Sequence, residues 1–345
     1  MSQYRPLHEG WTVTSDARGM AGVPATVPGC VHTDLLAAGL IEDPYRGDAE
    51  DRLQWIGRSD WVYETTFDWR PDGHDRIDLL CDGLDTVATV SVNGATVGTT
   101  ANMHRSYRFD VGRHLTPGSN RLRVEFESPY TYAERLRSRL GDRPASYDEP
   151  YPFIRKMACN FGWDWGPTLV TSGIWRPITL HSWSAARLAE VRPLVSVDGA
   201  DGRVDVHVAV ERAVQIPLTV TAEVAGVLQE LTLPPGQDQG VMSLRVPGPR
   251  LWWPRGYGEQ PLYPLTVRLG DEVWTRRIGF RTMELDTAPD PAGGSVFGLR
   301  VNDRPVFVKG FNWIPDDCFP TRVTDERLGQ QLGQAVDAGA NLLRV

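Results

Sequence analysis

A chain of 345 residues exceeds what one ordinary hydrophobic core organises, so two or three domains are expected. Hydrophobic content of 41% and charged content of 23% fit a soluble globular protein, and a net charge of −8 with no basic stripe argues against nucleic acid or an anionic membrane surface as partner. No run of 18 apolar residues occurs and the segment 1–11 is polar, so neither a membrane span nor a signal peptide is read, and the expected location is cytoplasmic.

Twelve tryptophans and 26 prolines point to β-rich domains with many turns. Cys30, Cys81, Cys159 and Cys318 are scattered and form no C-x-x-C pair, so buried free thiols are expected rather than disulfides or a metal site, and no cofactor is implied.

From residue 11 to about 183 the pattern is short strands with turns. Strands are predicted at 62–69, 76–80, 86–92, 106–111 and 121–127, with a closing strand at 174–182 and a short helix at 132–140. Val92-Asn93-Gly94-Ala95 carries the Asn-Gly signal of a tight hairpin. This much antiparallel strand in one unit predicts a jelly-roll sandwich over 1–185. A second unit, 186–285, has strands at 203–210, 218–224, 240–246, 262–269 and 273–280, the spacing of an immunoglobulin-like sandwich. Beyond the loop at 289–294 the grammar changes. A small hairpin turns at Asn302-Asp303, an apolar strand covers 307–311, Thr324 caps a helix over 325–338, and 341–345 is a second apolar strand. This is one β-α-β unit. A parallel barrel needs about 250 residues, so the segment 286–345 reads as the start of a (β/α)8 barrel that the sequence leaves incomplete.

The stretch Asn160-Phe161-Gly162-Trp163-Asp164-Trp165-Gly166-Pro167 sets one carboxylate between two indoles. Indole faces stack on the C–H faces of a sugar ring, and a carboxylate accepts charge-assisted hydrogen bonds from two neighbouring hydroxyls. Gly162 and Gly166 permit a sharp turn or a close approach to a ligand. The alternative is an aromatic-rich turn packed between domains. A polar loop at 142–152 leads into the stretch, and such loops often frame sites.

Several strings carry a family resemblance: Pro28-Gly29-Cys30-Val31-His32-Thr33-Asp34-Leu35-Leu36, Asp60-Trp61-Val62-Tyr63, the Phe161 to Pro167 string, Gly173-Ile174-Trp175-Arg176-Pro177, the run from Leu251 to Tyr263, Arg277-Ile278-Gly279-Phe280-Arg281, and the run from Lys309 to Pro315. In this order they resemble glycoside hydrolase family 2, in its β-mannosidase branch. The resemblance implies that Trp163, Asp164 and Trp165 help form the subsite for a terminal mannose. It also implies that Asn312 and Trp313, after the first barrel strand, and Arg344, at the end of the second, face the substrate end of the barrel, where an arginine keeps the catalytic nucleophile ionised. Loop packing for Asn312 and Trp313, and a solvated strand end for Arg344, are the alternatives.

The family's two catalytic glutamates come from later barrel strands. After Phe307 the acidic residues are Asp316, Asp317, Asp325, Glu326 and Asp337, and no Asn-Glu pair occurs, so no catalytic role is assigned within the chain. Two readings follow. One is the N-terminal part of a retaining exo-β-mannosidase acting on terminal, non-reducing β-D-mannose of an oligosaccharide or glycan. The other is a non-catalytic carbohydrate-binding protein. The oligomeric state stays open.

Overall fold

The computed structural model describes residues 2–345, in two units. One comprises Gln3–Ser182 with Pro315–Asp325; the other comprises Ser2, Trp183–Ile314 and Glu326–Val345.

The first unit is built on two antiparallel sheets. A six-stranded sheet runs, edge to edge, Met20–Pro24, Thr12–Ser15, Trp61–Trp69, Gly118–Phe126, Val87–Val92 and Ala95–Ala101. A four-stranded sheet runs Gln3–Pro6, Ile178–Trp183, Arg76–Cys81 and Tyr107–Asp110. Alternation explains which face is buried: Trp61, Tyr63, Thr65 and Phe67 turn inward along one strand, and Leu122, Val124 and Phe126 along its neighbour. The Asn-Gly turn forms as expected. Val92 pairs with Ala95, and Asn93 and Gly94 both take positive φ, 51° and 84°, which matches the right-handed strand twist.

The helix expected at 132–140 begins earlier, at Pro129, and ends at Leu140. Ser128 caps it by accepting from the Thr131 amide, and proline suits the first turn because its missing N–H would be unpaired there anyway. Helix Val31–Ala37 was not expected. It buries Val31, His32, Asp34 and Leu35, and Asp34 accepts from the Tyr63 hydroxyl (2.7 Å) and the Thr26 amide (2.9 Å).

In the second unit, strands Ala186–Asp198, Asp201–Arg212 and Gln239–Val246 face a four-stranded sheet of Val227–Leu233, Leu218–Val224, Tyr263–Leu269 and Glu272–Ile278. Val204, Val206, Val220, Ala222, Leu265, Val267 and Phe280 form the centre of the core between them. Strand Ala186–Asp198 was missed because Pro193 and a register shift at Leu188/Glu190 break its alternation; an edge strand tolerates both.

Three short strands follow, Met283–Asp286, Gly298–Val301 and Arg304–Val306. Then Gly310–Asn312 and Leu342–Arg344 pair in parallel, joined through helix Asp325–Asp337. The strand expected at 307–311 is shorter and shifted. The Tyr257 hydroxyl accepts from the Phe307 amide and the Asn341 side chain from the Lys309 amide, so ladder pairing starts only at Gly310. Phe307 is 74% exposed, and helix Asp325–Asp337 has no buried residue. Among the described residues no helix is long and apolar enough to cross a membrane.

Two buried groups on helix Val31–Ala37 make stability depend on pH in opposite directions. Burial, aided by the nearby Lys156 charge, pulls His32 from 6.5 to about 3. Between these values the unfolded imidazole binds a proton that the folded one refuses, so stability falls as pH drops from 6.5 toward 3. Burial pushes Asp34 from 3.8 to about 6, against the hydrogen bonds from Thr26 and Tyr63. The folded carboxyl keeps its proton where the unfolded one has lost it, so this contribution declines as pH rises from 3.8 to 6. In wild type the two slopes offset. His32→Asn should remove one of them, making the variant's unfolding free energy rise by about 3 kcal/mol relative to wild type between pH 6 and pH 4. Urea unfolding at a series of pH values measures this, and parallel curves for the two proteins would refute it.

Candidate functional site

Residues 161–168 form a hairpin whose strands, Phe161–Trp163 and Gly166–Thr168, pair only with each other. Trp163 pairs with Gly166, so Asp164 and Trp165 occupy the tip. Both indoles stand out from the surface, Trp163 at 45% and Trp165 at 39% exposure, and Asp164 is exposed between them. Gly162 has φ 90°, and a Cβ there would sit 2.3 Å from the Thr168 hydroxyl, so the hairpin requires glycine. At Gly166 φ is not in the left-handed region and no atom of the chain lies near its missing Cβ.

Three supports hold the hairpin. The Tyr147 hydroxyl donates to the Gly162 carbonyl, and its ring meets Trp163 edge-on at 5.5 Å. Helix Ala49–Leu53 covers the free edge of Gly166–Thr168: the Thr168 amide donates to the Glu50 carboxylate, and the Gln54 amide donates to the Thr168 carbonyl at 2.7 Å. Below the hairpin lies a buried polar knot. Lys156 pairs with Asp85 and donates to the Thr171 hydroxyl at 2.7 Å, while Thr171 donates to the same Asp85 oxygen at 2.6 Å. Burial pulls Lys156 below its ordinary value, and the Asp85 carboxylate opposes that fall.

Beside the hairpin is a cleft of about 640 Å³, lined by Glu50, Ser146, Tyr147, Glu149, Phe161, Gly162, Trp163, Asp164, Gly166 and Thr168. The polar loop 142–152 thus shares a cavity with the indole-carboxylate tip. Burial raises Glu149 above its ordinary range, against a hydrogen bond from Tyr130 and the charge of Arg58. Aromatic faces beside carboxylates suit a polyhydroxylated ligand, with apolar ring faces on indole and hydroxyls donating to oxygen.

In the other unit, Asn312, Trp313 and Arg344 come together at the ends of the parallel strands. Asn312 is in register with Arg344, the Trp313 amide donates to the Arg344 carbonyl at 2.7 Å, and Arg344 Nη1 lies 3.5 Å from Asn312 Oδ1. Asn312 and Arg344 are exposed.

Residues 11–176 match the family described as glycosyl hydrolase 2 galactose-binding domain-like, and residues 187–281 match glycosyl hydrolases family 2. The chain belongs to glycoside hydrolase family 2. It is 31% identical to a β-mannosidase of Mus musculus, over 98% of this chain and 42% of that protein. It is 33% identical to β-mannosidase B of Aspergillus clavatus, over 99% and 42% respectively. The solved β-D-mannosidase of Dictyoglomus thermophilum superposes with a TM-score of 0.93 at 35% identity, covering 99% of this chain and 44% of that one. The chain thus spans about two fifths of the length of the curated relatives it matches. The first family match covers most of the strands of the first two sheets and the second most of those of the second sandwich, consistent with the galactose-binding-like and immunoglobulin-like classes expected.

Sequence reasoning missed Tyr147, Glu50, Gln54 and the Lys156–Asp85 pair. Helix Ala49–Leu53 is too short to show a period, and a pair 71 residues apart leaves no local trace. One signal was available: Lys156 and Lys309 are the only lysines in a chain otherwise supplied with arginine. Lys156→Met strands the buried Asp85 charge and should lower unfolding free energy by about 3–5 kcal/mol, with the double variant Lys156→Met/Asp85→Asn losing less. Urea unfolding reads both; a single variant as stable as wild type would show that the ion pair does not anchor this region.

Proposed function

We propose that this chain is the N-terminal part of a retaining exo-β-mannosidase that removes terminal, non-reducing β-D-mannose from an oligosaccharide or glycan. The observation that carries the proposal is the exposed Trp163-Asp164-Trp165 tip beside an aromatic- and carboxylate-lined cleft. The β-mannosidase relatives favour mannose as the sugar. In this reading Asp164 accepts from adjacent ring hydroxyls, and Trp163 and Trp165 flank the ring. Asn312, Trp313 and Arg344 contribute to the same function from a (β/α)8 barrel that begins in 286–345, following a jelly roll over 1–185 and an immunoglobulin-like sandwich over 186–285.

Retention requires two carboxylates about 5–5.5 Å apart. We assign neither to this chain. Asp317, whose carboxylate takes the Tyr45 hydroxyl and the Phe319 amide, is already committed to holding its own loop. That leaves room for the second reading, a carbohydrate-binding chain without turnover, and one pair of assays separates the two. The 345-residue chain should release no aglycone from an aryl β-mannoside. In a protein carrying this chain together with a complete barrel, Asp164→Ala should cut kcat/KM on that substrate by a factor corresponding to about 2–4 kcal/mol. Equal kcat/KM for variant and wild type would remove Asp164 from the substrate site. Absence of turnover in the longer protein, with mannoside binding retained, would favour the binding reading.

A further inference from the structure

The segment Pro315–Asp325 lies far along the chain from the hairpin 161–168, yet it packs within the same unit. Its central side chain, Phe319, is 1% exposed, with its ring 5.4 Å from His32 and edge-on to Tyr45 at 5.8 Å. The Tyr45 hydroxyl fixes the backbone on either side. It donates to Asp317 Oδ1 at 2.7 Å and accepts from the Cys318 amide at 2.9 Å. Asp317 Oδ1 also accepts from the Phe319 amide at 2.9 Å, and Arg322 Nε lies 3.2 Å from Asp317 Oδ2. Burial and the bond to Asp317 push the Tyr45 phenol well above its ordinary value, so it stays a donor at every physiological pH.

What this plug touches is the base of the hairpin, on both legs. On the incoming side, Asn160, fully buried, donates from Nδ2 to the Cys318 carbonyl at 3.3 Å. On the returning side, Cys318 Sγ lies 3.9 Å from the Pro167 carbonyl, and Cys318 and Phe319 share a buried cluster with Leu169 and Cys30. A lone two-stranded hairpin is marginal in water, so its direction is set by whatever holds its legs. Tyr147, Glu50 and Gln54 act on the hairpin itself; Cys318 touches both legs at the root.

We propose that Tyr45, Asp317, Cys318 and Phe319 form a clamp that sets the orientation of the Trp163-Asp164-Trp165 tip, and that they are positioning residues for sugar recognition. The second half of this proposal rests on the reading of that tip as a sugar site. The physical basis is preorganisation: a binding carboxylate held by its supporting shell loses less freedom when the ligand arrives. Tyr45→Phe keeps the ring against Phe319 and removes only the hydroxyl bridge. Asp317→Ala removes the acceptor, whereas Asp317→Asn keeps one.

The test uses the 345-residue chain and two readouts, hydrogen exchange across 161–168 and tryptophan fluorescence titrated with methyl β-D-mannoside. In Tyr45→Phe and Asp317→Ala, exchange within 161–168 should quicken about tenfold while strands Trp61–Trp69 and Gly118–Phe126 keep wild-type rates. Asp317→Asn should stay near wild type, and mannoside affinity should weaken in the first two variants only. Unchanged exchange in 161–168, or acceleration spread equally over the sandwich strands, would overturn the clamp. If wild type gives no mannoside response while exchange changes as described, the clamp stands as an orienting device and the sugar-site reading fails.

Discussion

One buried ion pair carries the candidate site. Lys156 and Asp85 meet where both side chains are removed from water, and Thr171 closes the knot on the same carboxylate oxygen. Lys156 and Thr171 lie 15 residues apart, so everything between them, including the hairpin, is an excursion that leaves and returns to one point. Burying two charges costs free energy that their attraction and added hydrogen bonds only partly return. The arrangement therefore contributes less to stability than to location: any displacement of one partner strands the other's charge in a medium that cannot solvate it. That penalty is what makes the root of the excursion rigid, and rigidity at the root gives the tip a fixed position.

The tip itself runs against ordinary burial preferences. Trp61 and Trp183 are completely enclosed, as large aromatics usually are, while Trp163 at the end of its strand and Trp165 on the turn are left 45% and 39% exposed. Hydrophobic gain does not explain this placement, since burying either indole would have been favourable. Local geometry holds it instead: Gly162 is in the left-handed region and Tyr147 braces Trp163 edge-on. An indole kept exposed by specific contacts fits recognition of a ligand with apolar faces, and a carboxylate between two such indoles fits a ligand that also carries hydroxyls.

The two sandwiches and the terminal β-α-β unit are built to different standards of burial. Strands in the sandwiches bury alternate side chains almost completely, whereas helix Asp325–Asp337 buries none and Phe297 and Phe307 are 81% and 74% exposed. The first unit, by contrast, completes its own interior and takes in Phe319 from a distant part of the chain.

Much of this was legible in the amino-acid sequence. Period-two alternation placed most sandwich strands within a residue or two, because one buried face imposes it on every inward position, and Asn93-Gly94 located a hairpin because few other residues accept positive φ at both turn positions. The Trp163-Asp164-Trp165 string could be singled out as a candidate site because two indoles and a carboxylate stand side by side in the sequence. Tertiary structure decided what depends on residues that are distant in sequence. The hairpin that carries the two exposed indoles is held by Tyr147 from a loop and by Glu50 and Gln54 from a short helix, all distant in sequence. Asp317 read as one of two adjacent loop acids, and only its meeting with Tyr45, 272 residues away, made it a structural anchor. Strand 307–311 shortened to Gly310–Asn312 because the Tyr257 and Asn341 side chains took the backbone amides first. Sequence determines local period, turn chemistry and residue identity because these act between neighbours. Orientation and partnership are set by contacts that no local pattern encodes.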